Sequence, residues 1–383
     1  MNVKAWRYIM LDLLWHARPG PPPAGNSIVV YSPGHLGDVL HAVPMLKALR
    51  AAKPAARLRW LVGPWSHELA SRYLDFTDDI LVFGPNLPAF TRDRLEWRQS
   101  ALRQWQLVAG LRRGGVEWLV GPMDGVGRFL ANALCPRVWA GIGDRRPPRV
   151  RAKVETVVQP YEKDRYEAEA WCGLLKRLGI DVQASRLIYA VTPAEQAEGA
   201  SFLVAENVDG ARPLALIAPG SGWSGKNWLP DRFAAVADWL RTAKGYQVAW
   251  VGSAAERNLL PADGGNDFDW MGKTSLPLLA AVMARSALFI GNDGGLLHFA
   301  AALDLPTVSV WGPTSPGKWG PKGARHRQLR RVERCAGCVY WDYREICRHN
   351  HICMTKIEVA DVVAEIESLL AAAGPRPACR EIS

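Results

Sequence analysis

The segment IGNDGGLLHFAAAL, residues 290–303, has the pattern of a strand end, a sharp turn and a helix. A short apolar run comes first, the Asn-Asp-Gly-Gly turn interrupts it, and an Ala/Leu-rich helix pattern follows. We expect Asn292 or Asp293 to cap this helix, while Gly294 and Gly295 let a ligand approach its first N–H groups. Exposed N–H donors at a helix N-terminus favour an anionic group such as a diphosphate. An ordinary strand-to-helix turn is the alternative interpretation.

Three other segments have the same strand-to-turn character. SIVVYSPGHLGDVLHAVPMLKAL, residues 27–49, contains a strand, a Gly-rich turn and a helix. APGSGWSGKNWL, residues 218–229, ends a strand in a Gly/Ser loop with Lys226, and WVGSAAER, residues 250–257, leads to Glu256. Gly-rich turns after strands occur in many α/β proteins, so no single one of these matches is specific.

Strand and helix patterns alternate along the chain in two runs. The first run has predicted strands near Ile28–Tyr31, Leu58–Val62, Ile80–Phe83, Trp118–Val120 and Val138–Ala140. The second run has predicted strands near Leu214–Ala218, Val248–Val251, Phe268–Met271, Leu288–Ile290 and Thr307–Val310. Helix patterns include Asp38–Ala51, Arg94–Arg112 and Tyr161–Leu178. This alternation predicts an α/β fold of two tandem Rossmann-like domains with parallel sheets and a cleft between them.

The predicted domain boundaries follow the two runs. An N-terminal helix and linker take residues 1–25, the first Rossmann-like domain 26–190, the second 191–355, and a C-terminal helix with a tail 356–383, with the break near Ala190–Pro193. Ligands in such sheets bind beyond the carboxyl ends of the strands. Because Asp38, Gly220 and Asp293 each follow a strand, the fold could bring them to one cleft.

Composition agrees with a large soluble protein. A chain of 383 residues is long enough for two domains and an ample core. It has no run of about 18 uninterrupted apolar residues, as a transmembrane helix would need. The N-terminus has neither the apolar region nor the small-residue cleavage site of a secretory signal, so we expect a cytoplasmic protein.

The net charge of +10 is unevenly distributed. The excess lies in residues 1–190, because acidic and basic side chains balance in residues 191–383. The densest basic patch, RRPPRVRAK at residues 145–153, contains prolines that predict an extended exposed loop. Either this surface is simply solvated, or it attracts an anionic partner or membrane surface. Nucleic acid is a poorer match, because the patch lacks interleaved aromatic side chains and no binding motif follows it.

Taken together and in this order, the motifs resemble glycosyltransferase family 9, the lipopolysaccharide heptosyltransferase family. The matching motifs are GDVLHAVP at 37–44, PGSG at 219–222 with Lys226-x-Trp228, NDGGLLH at 292–298 and WGPT at 311–314. The resemblance runs from about Ser27 to about Val363. It implies a GT-B fold, in which the predicted helix Lys356–Leu370 could cross back to the first domain. It also implies inverting transfer of a sugar from a nucleotide-diphospho-sugar.

On the acceptor side, the resemblance implies that Asp38 is the catalytic base. It is the one carboxylate in the first Gly-rich turn, where it could take the proton of an acceptor hydroxyl. A helix N-cap is the alternative role for an aspartate at this place. His41, one helical turn later, would orient Asp38, touch the acceptor, or simply pack in the helix. Many relatives carry arginine where this chain has Ser32, and His35 is the nearest possible substitute.

On the donor side, Lys226 is the candidate to meet the diphosphate, because its flexible stem delivers a point charge from a Gly-rich loop. A solvated surface lysine is the alternative. By the resemblance, Glu256 would accept hydrogen bonds from the ribose, Asp293 and His298 would line the pocket, and Thr314 would contact phosphate. The full predicted donor set is Gly220, Ser221, Lys226, Glu256, Asn292, Asp293, Gly294, Gly295, His298 and Thr314. Gly294 departs from the family pattern, in which Ser or Thr is common.

Four cysteines cluster as Cys335-x2-Cys338-x8-Cys347-x5-Cys353. In a cytoplasmic protein such a cluster indicates reduced thiols or a metal site rather than disulfides. The first pair has zinc-knuckle spacing, but the second is too wide for a standard ribbon, so a structural zinc and free thiols both remain open. The chemistry itself is expected to require no cofactor.

The leading functional hypothesis is an inverting glycosyltransferase that uses ADP-heptose and a lipopolysaccharide core precursor, as the resemblance implies. The basic first domain would take this anionic, lipid-linked acceptor. Alternatives are a transferase for another sugar, a nucleotide-sugar epimerase on the same fold, and a non-catalytic nucleotide-sugar-binding protein. A two-domain dehydrogenase is disfavoured, because Gly34-x2-Gly37 is not the Gly-x-Gly-x2-Gly pattern and no acidic residue follows the second strand near Val62.

Residues 2–18 have apolar side chains three or four positions apart, which predicts an amphipathic helix, and PGPPP at 19–23 separates it from the first strand. Its apolar stripe either packs on the protein's own domains or serves as a reversible anchor. In the second case the protein would be peripheral at the inner face of the cytoplasmic membrane.

Overall fold

The computed structural model describes residues 25–83, 94–144, 149–150, 154–182, 186–261, 267–331, 333, 335, 338, 347 and 349–373. The predicted N-terminal helix, the proline-rich linker and most of the basic patch at residues 145–153 lie outside these ranges.

The chain divides into two compact units. Unit 1 comprises Met1–Glu162 and Glu167–Ser185, and unit 2 comprises Lys163–Tyr166 and Arg186–Ser383. The predicted break near Ala190–Pro193 therefore falls a few residues inside unit 2.

Unit 1 is built on a six-stranded parallel sheet with the order β3-β2-β1-β4-β5-β6. Its strands are β1 Ser27–Ser32, β2 Arg57–Val62, β3 Asp79–Val82, β4 Trp118–Pro122, β5 Val138–Gly143 and β6 Glu155–Pro160. The five predicted strands of this run are confirmed. Strand β6 was not predicted, because this edge strand reads ETVVQP and is mostly half-buried, so it shows no continuous apolar run.

The helices of unit 1 cover the sheet with apolar side chains. They are α1 Leu36–Ala52, α2 His67–Ala70, α3 Arg94–Arg113, α4 Gly125–Leu134 and α5 Glu167–Arg177, with 3₁₀ turns at Pro64–Ser66 and Ser71–Tyr73. The helix predicted over Tyr161–Leu178 is shorter in the structure and spans Glu167–Arg177, and the preceding residues Lys163–Tyr166 belong to unit 2.

Unit 2 repeats the same architecture with its own six strands, in the order β12-β11-β10-β7-β8-β9 and all parallel. They are β7 Leu214–Ala218, β8 Gln247–Trp250, β9 Phe268–Asp269, β10 Leu288–Asn292, β11 Thr307–Trp311 and β12 His326–Arg330. The five predicted strands are again confirmed, with shifted ends. The missed strand, β12, is a polar edge strand that reads HRQLR and is half-buried throughout.

The helices of unit 2 are α6 Pro193–Ala205, α7 Pro230–Lys244, α8 Leu276–Arg285, α9 Gly295–Ala302, α10 Pro316–Trp319, α11 Ile352–Thr355 and α12 Val359–Ala373. Short 3₁₀ turns lie at Ser224–Lys226 and Ala254–Leu259. The apolar face of the last helix packs within unit 2, and its crossing to the first domain stays a prediction. Val362, Ile366 and Leu369 are fully buried in the core of unit 2, because this stripe supplies apolar area that the sheet must cover.

Both sheets have the doubly wound order, which reverses direction next to the first strand of each unit. The reversal lies between β1 and β4 in unit 1 and between β7 and β10 in unit 2. Crevices at the carboxyl ends of the strands open at such switch points, and they are where ligands bind in this class of fold. Within the described ranges, no helix has the length and apolar character to cross a membrane.

Candidate active site

The first candidate turn joins β1 to α1 and contains Asp38. His35 is the N-cap residue, and Asp38 lies three positions later in the first helical turn. The Asp38 Oδ2 atom accepts a hydrogen bond of 2.7 Å from the backbone N–H of His35. Among the described residues this is the one hydrogen bond to the carboxylate, which is half-buried. Asp38 is therefore not the N-cap itself, although it supports the helix start by a reciprocal bond.

Gly34 makes this geometry possible. A Cβ atom at position 34 would collide with the Asp38 carboxylate. Only glycine therefore lets the backbone of the turn come this close to the carboxylate.

The two histidines near Asp38 have different environments. His41 has no exposed surface and belongs to the buried face of α1. This placement favours the packed histidine, one of the predicted alternatives, over contact with an acceptor. His35 is exposed, and its ring centroid lies 5.5 Å from that of Trp65.

Two residues that the sequence analysis did not single out cover this turn. The Trp65 indole N–H donates to the Gly34 carbonyl oxygen at 2.8 Å, and the Ser66 hydroxyl donates to the same oxygen at 2.9 Å. A signal was present, because Pro64-Trp65-Ser66 directly follows the carboxyl end of β2.

In unit 2, the Asn292 side chain at the end of β10 forms hydrogen bonds with the segment that follows β7. Its Nδ2 donates to the Pro219 carbonyl at 2.8 Å, and its Oδ1 accepts from the Trp228 backbone N–H at 2.9 Å. The predicted capping of α9 by Asn292 or Asp293 was wrong. The N-cap is Gly294, without a side-chain hydrogen bond, because the Asn292 and Asp293 side chains bind other partners.

Asp293 is the centre of a buried polar cluster. Its Oδ2 accepts from the Thr314 hydroxyl at 2.7 Å and lies 3.2 Å from Lys226 Nζ, while its Oδ1 lies 3.7 Å from His298 Nε2. Burial alone would raise the pKa of Asp293, but Lys226, His298 and Thr314 together hold it well below its usual range. Asp293 is therefore a permanent anion at neutral pH.

Lys226 is not a solvated surface lysine, because its side chain is 12% exposed and paired with Asp293. The Gly/Ser loop that carries it is held by Ser221. The Ser221 hydroxyl oxygen lies 2.6 Å from Asn227 Oδ1 and 2.7 Å from the Trp223 carbonyl oxygen. These contacts place the loop at the carboxyl end of β7.

Glu256 lies against the first glycine of the same loop. Its Oε2 accepts from the backbone N–H of Ser253 at 2.8 Å and from its hydroxyl at 2.7 Å. A Cβ atom at Gly220 would collide with Glu256 Oε1, so this second oxygen faces the loop. Unit 2 thus gathers the whole predicted donor set at one edge of its sheet.

The glycines of the second turn are less constrained than Gly34. Gly294 has φ −159° and ψ 169°, which any residue can adopt. A Cβ atom there would make an ordinary contact of 3.7 Å with the Ser221 Cβ. The first N–H groups of a helix have no acceptor within it, so those of α9, which begins at Gly295, can serve an anionic ligand.

Among the described residues, none of the four clustered cysteines forms a disulfide. Burial, together with the neighbouring Cys335, Cys338 and Cys347, raises the pKa of Cys353 to about 11. In the part of the chain that the structure describes, no three His, Cys, Asp or Glu side chains are arranged to hold a metal ion. The structural zinc that the spacing left open therefore has no support from this geometry.

Comparisons with known proteins identify the family of this chain. The family model "Glycosyltransferase family 9 (heptosyltransferase)" matches residues 149–345. The chain is 32% identical to lipooligosaccharide heptosyltransferase 2 of Haemophilus influenzae, covering 80% of this chain and 89% of that protein. It is 26% identical to lipopolysaccharide heptosyltransferase 2 of Salmonella typhimurium, covering 91% and 99%.

A similar solved structure is the Escherichia coli ADP-heptose lipopolysaccharide heptosyltransferase II. It has a TM-score of 0.67 and 19% identity, with 90% of this chain and 99% of that chain covered. This likeness shows the GT-B fold of two Rossmann-like units. The family model spans more than half of the chain and includes the second turn at residues 292–298. The chain belongs to glycosyltransferase family 9 and is a glycosyltransferase.

Proposed function

We propose that the protein transfers heptose from ADP-heptose to a lipopolysaccharide core-type acceptor, with inversion at the anomeric carbon. The observation that carries this proposal is the buried Lys226–Asp293 pair at the switch point of unit 2. It holds a cation at the edge where a diphosphate would bind. The names of the relatives, which are lipopolysaccharide and lipooligosaccharide heptosyltransferases, support the choice of sugar and acceptor.

The donor would bind to unit 2 with its diphosphate between Lys226 and the start of α9. Asp293 keeps the lysine in place, while the ammonium and the helix N–H groups oppose the negative charge of the diphosphate. Because this charge grows as the bond to the sugar breaks, the same groups stabilise the leaving ADP. Glu256 would accept hydrogen bonds from the ribose through Oε1, since its Oε2 is bound to Ser253.

The acceptor would bind to unit 1 at the turn that carries Asp38. The Asp38 carboxylate takes the proton of the acceptor hydroxyl while that oxygen attacks the anomeric carbon. The oxygen enters on the face opposite to the departing diphosphate, so one displacement inverts the configuration. The activated bond of the donor supplies the driving force, so the step requires no cofactor.

The location of the acceptor suggests where the enzyme works. A lipopolysaccharide precursor is lipid-linked, so the protein would act at the inner face of the cytoplasmic membrane. The basic excess of residues 1–190 would assist contact with anionic groups there.

A transfer assay tests the proposal. Purified protein is incubated with a lipopolysaccharide core acceptor and with ADP-heptose, ADP-glucose, UDP-glucose or UDP-N-acetylglucosamine, and the released nucleotide and glycosylated product are measured. We expect product with ADP-heptose and the largest thermal stabilisation by the same donor. Product formed only with another donor would move the enzyme to a different sugar. Donor epimerisation without transfer would make it an epimerase, and binding without turnover a non-catalytic protein.

A further inference from the structure

Trp65 is an exposed side chain that is nevertheless held in one orientation. Half of it is exposed, at 50%, whereas Trp60 on the preceding strand is fully buried. Its indole N–H donates to the Gly34 carbonyl at 2.8 Å. Its ring lies over Gly63, where a Cβ atom would be 2.7 Å from the ring, and the His35 ring lies beside it at 5.5 Å.

This orientation presents the indole next to the carboxylate of the first turn. The Gly34 carbonyl that anchors the indole belongs to the residue that touches Asp38, and the Asp38 carboxylate is bonded to the next residue, His35. An aromatic surface after β2 and a carboxylate after β1 thus lie on neighbouring segments at the carboxyl edge of the sheet, joined through Gly34. A sugar ring has an apolar C–H face and a rim of hydroxyl groups, so it could use both at once.

We propose that the Trp65 indole is the stacking platform for the acceptor sugar, which places the attacking hydroxyl at Asp38. This inference rests on the proposed function, because it assigns a subsite to the acceptor of that reaction. Stacking removes the exposed indole face from water and stabilises the complex in proportion to the area covered. The same contact orients the ring, because the fixed indole allows only one plane of approach.

A purely structural role is the competing explanation for Trp65, since its N–H bond also holds the turn. Ser66 makes that role redundant. Its fully buried hydroxyl donates to the same Gly34 oxygen at 2.9 Å, so the carbonyl keeps a partner when the indole N–H is removed. The contribution that Ser66 cannot replace is the aromatic face.

Four single variants separate these roles. Trp65→Ala removes the ring and the N–H bond, Trp65→Phe keeps a ring without the bond, and Ser66→Ala removes the second bond without touching the ring. Trp105→Ala is the matched control, because Trp105 is also an exposed tryptophan of unit 1, at 41%, but lies on α3. For each variant the KM for the acceptor, the KM for the donor, kcat and Tm are measured.

We expect Trp65→Ala to raise the acceptor KM about tenfold, a loss of about 1.4 kcal/mol, while the donor KM changes less than about twofold. Trp65→Phe should stay within about threefold of the wild type in acceptor KM, and Ser66→Ala and Trp105→Ala should match the wild type. An equal rise in acceptor KM in Trp65→Phe and Trp65→Ala, or the same rise in Ser66→Ala, would show that Trp65 acts only by holding the Gly34 carbonyl. That result would overturn the stacking platform. An unchanged acceptor KM in Trp65→Ala would overturn it as well.

A binding measurement keeps this inference separate from the proposed function. If the wild type shows no transfer, the proposed function fails, and the platform is then tested by calorimetric titration with a deacylated core saccharide. Weaker binding to Trp65→Ala than to Trp65→Phe supports the platform. Equal binding to the two variants, or no binding to the wild type, overturns it.

Discussion

Asp38 and Asp293 both follow a parallel strand at a switch point, yet their surroundings are opposite. Asp38 is half-buried and accepts one backbone hydrogen bond from the described residues, that of His35. Asp293 is 5% exposed and is surrounded by Lys226, His298 and Thr314. A carboxylate whose pKa is held far down by buried partners cannot accept a proton at neutral pH. Asp293 therefore anchors the donor loop through Lys226, and Asp38 remains the predicted base.

The largest expected effect comes from Asp38→Asn. The amide cannot take up the acceptor proton, so we expect transfer to fall by about 10²–10⁴-fold. Donor affinity should stay within about threefold of the wild type, because Asp38 lies in unit 1 and the proposed diphosphate site in unit 2. Turnover is measured with saturating substrates, and ADP affinity by calorimetry.

A matched control is available on the same sheet. Asp124 follows β4 and caps α4 through a 2.7 Å bond from the Gly127 N–H. Asparagine caps a helix about as well as aspartate, so Asp124→Asn should fold and turn over normally. Turnover of Asp38→Asn within a few-fold of the wild type would remove Asp38 from the role of base.

The second effect concerns stability and its pH dependence. Asp293→Asn leaves the Lys226 ammonium buried without its counter-ion, and we expect this to cost about 3–5 kcal/mol of unfolding free energy at pH 7. Because the folded pKa of Asp293 is lowered, its stabilisation is present above the unfolded value near 4 and is lost as pH falls below it. Urea unfolding is measured at pH 7, 5 and 3. The difference in unfolding free energy between variant and wild type should become smaller only below about pH 4.

The double variant Asp293→Asn/Lys226→Met tests the pairing itself. If the loss comes from an unpaired buried charge, removing both partners restores part of the stability. A double variant as unstable as the sum of the single ones would show that the two residues act independently.

The third effect is on donor binding. Lys226→Ala should weaken ADP binding about tenfold and slow transfer with it, because the charge acts on both bound and departing diphosphate. Lys244→Ala is the control, since Lys244 forms an exposed pair with Glu367 on the helices of unit 2. An unchanged calorimetric affinity in Lys226→Ala would mean that the ammonium serves only Asp293.

The smallest effects compare the glycines of the two turns. Gly34→Ala must displace the Asp38 carboxylate, so we expect turnover to fall about tenfold with little change in ADP affinity. Gly294→Ala should be nearly neutral in turnover and Tm, because its backbone is extended and the added Cβ has room. Equal losses in both variants would show that the second turn needs its glycine as strictly as the first.

The sequence predicted much of this architecture, because strands and turns have recognisable patterns in short stretches of sequence. Each predicted strand coincides with an observed one, and both Gly-rich turns lie at a carboxyl edge of a sheet. The edge strands β6 and β12 were not predicted, since edge strands in water need no continuous apolar run. The cap of α9 was also missed, because Asn292 and Asp293 are good capping residues locally but bind partners distant in sequence.

By itself, then, the sequence determined the alternating elements, the two Gly-rich turns and the family, because each is encoded in contiguous residues. Only the tertiary structure decided what each side chain does within its unit. Lys226 and Asp293 are 67 positions apart and meet because β7 and β10 are neighbours in the sheet. His41 is buried, and the Trp65 indole N–H donates to the carbonyl of Gly34, which lies 31 positions earlier in the chain. Such contacts depend on strand order and burial, which no local pattern contains.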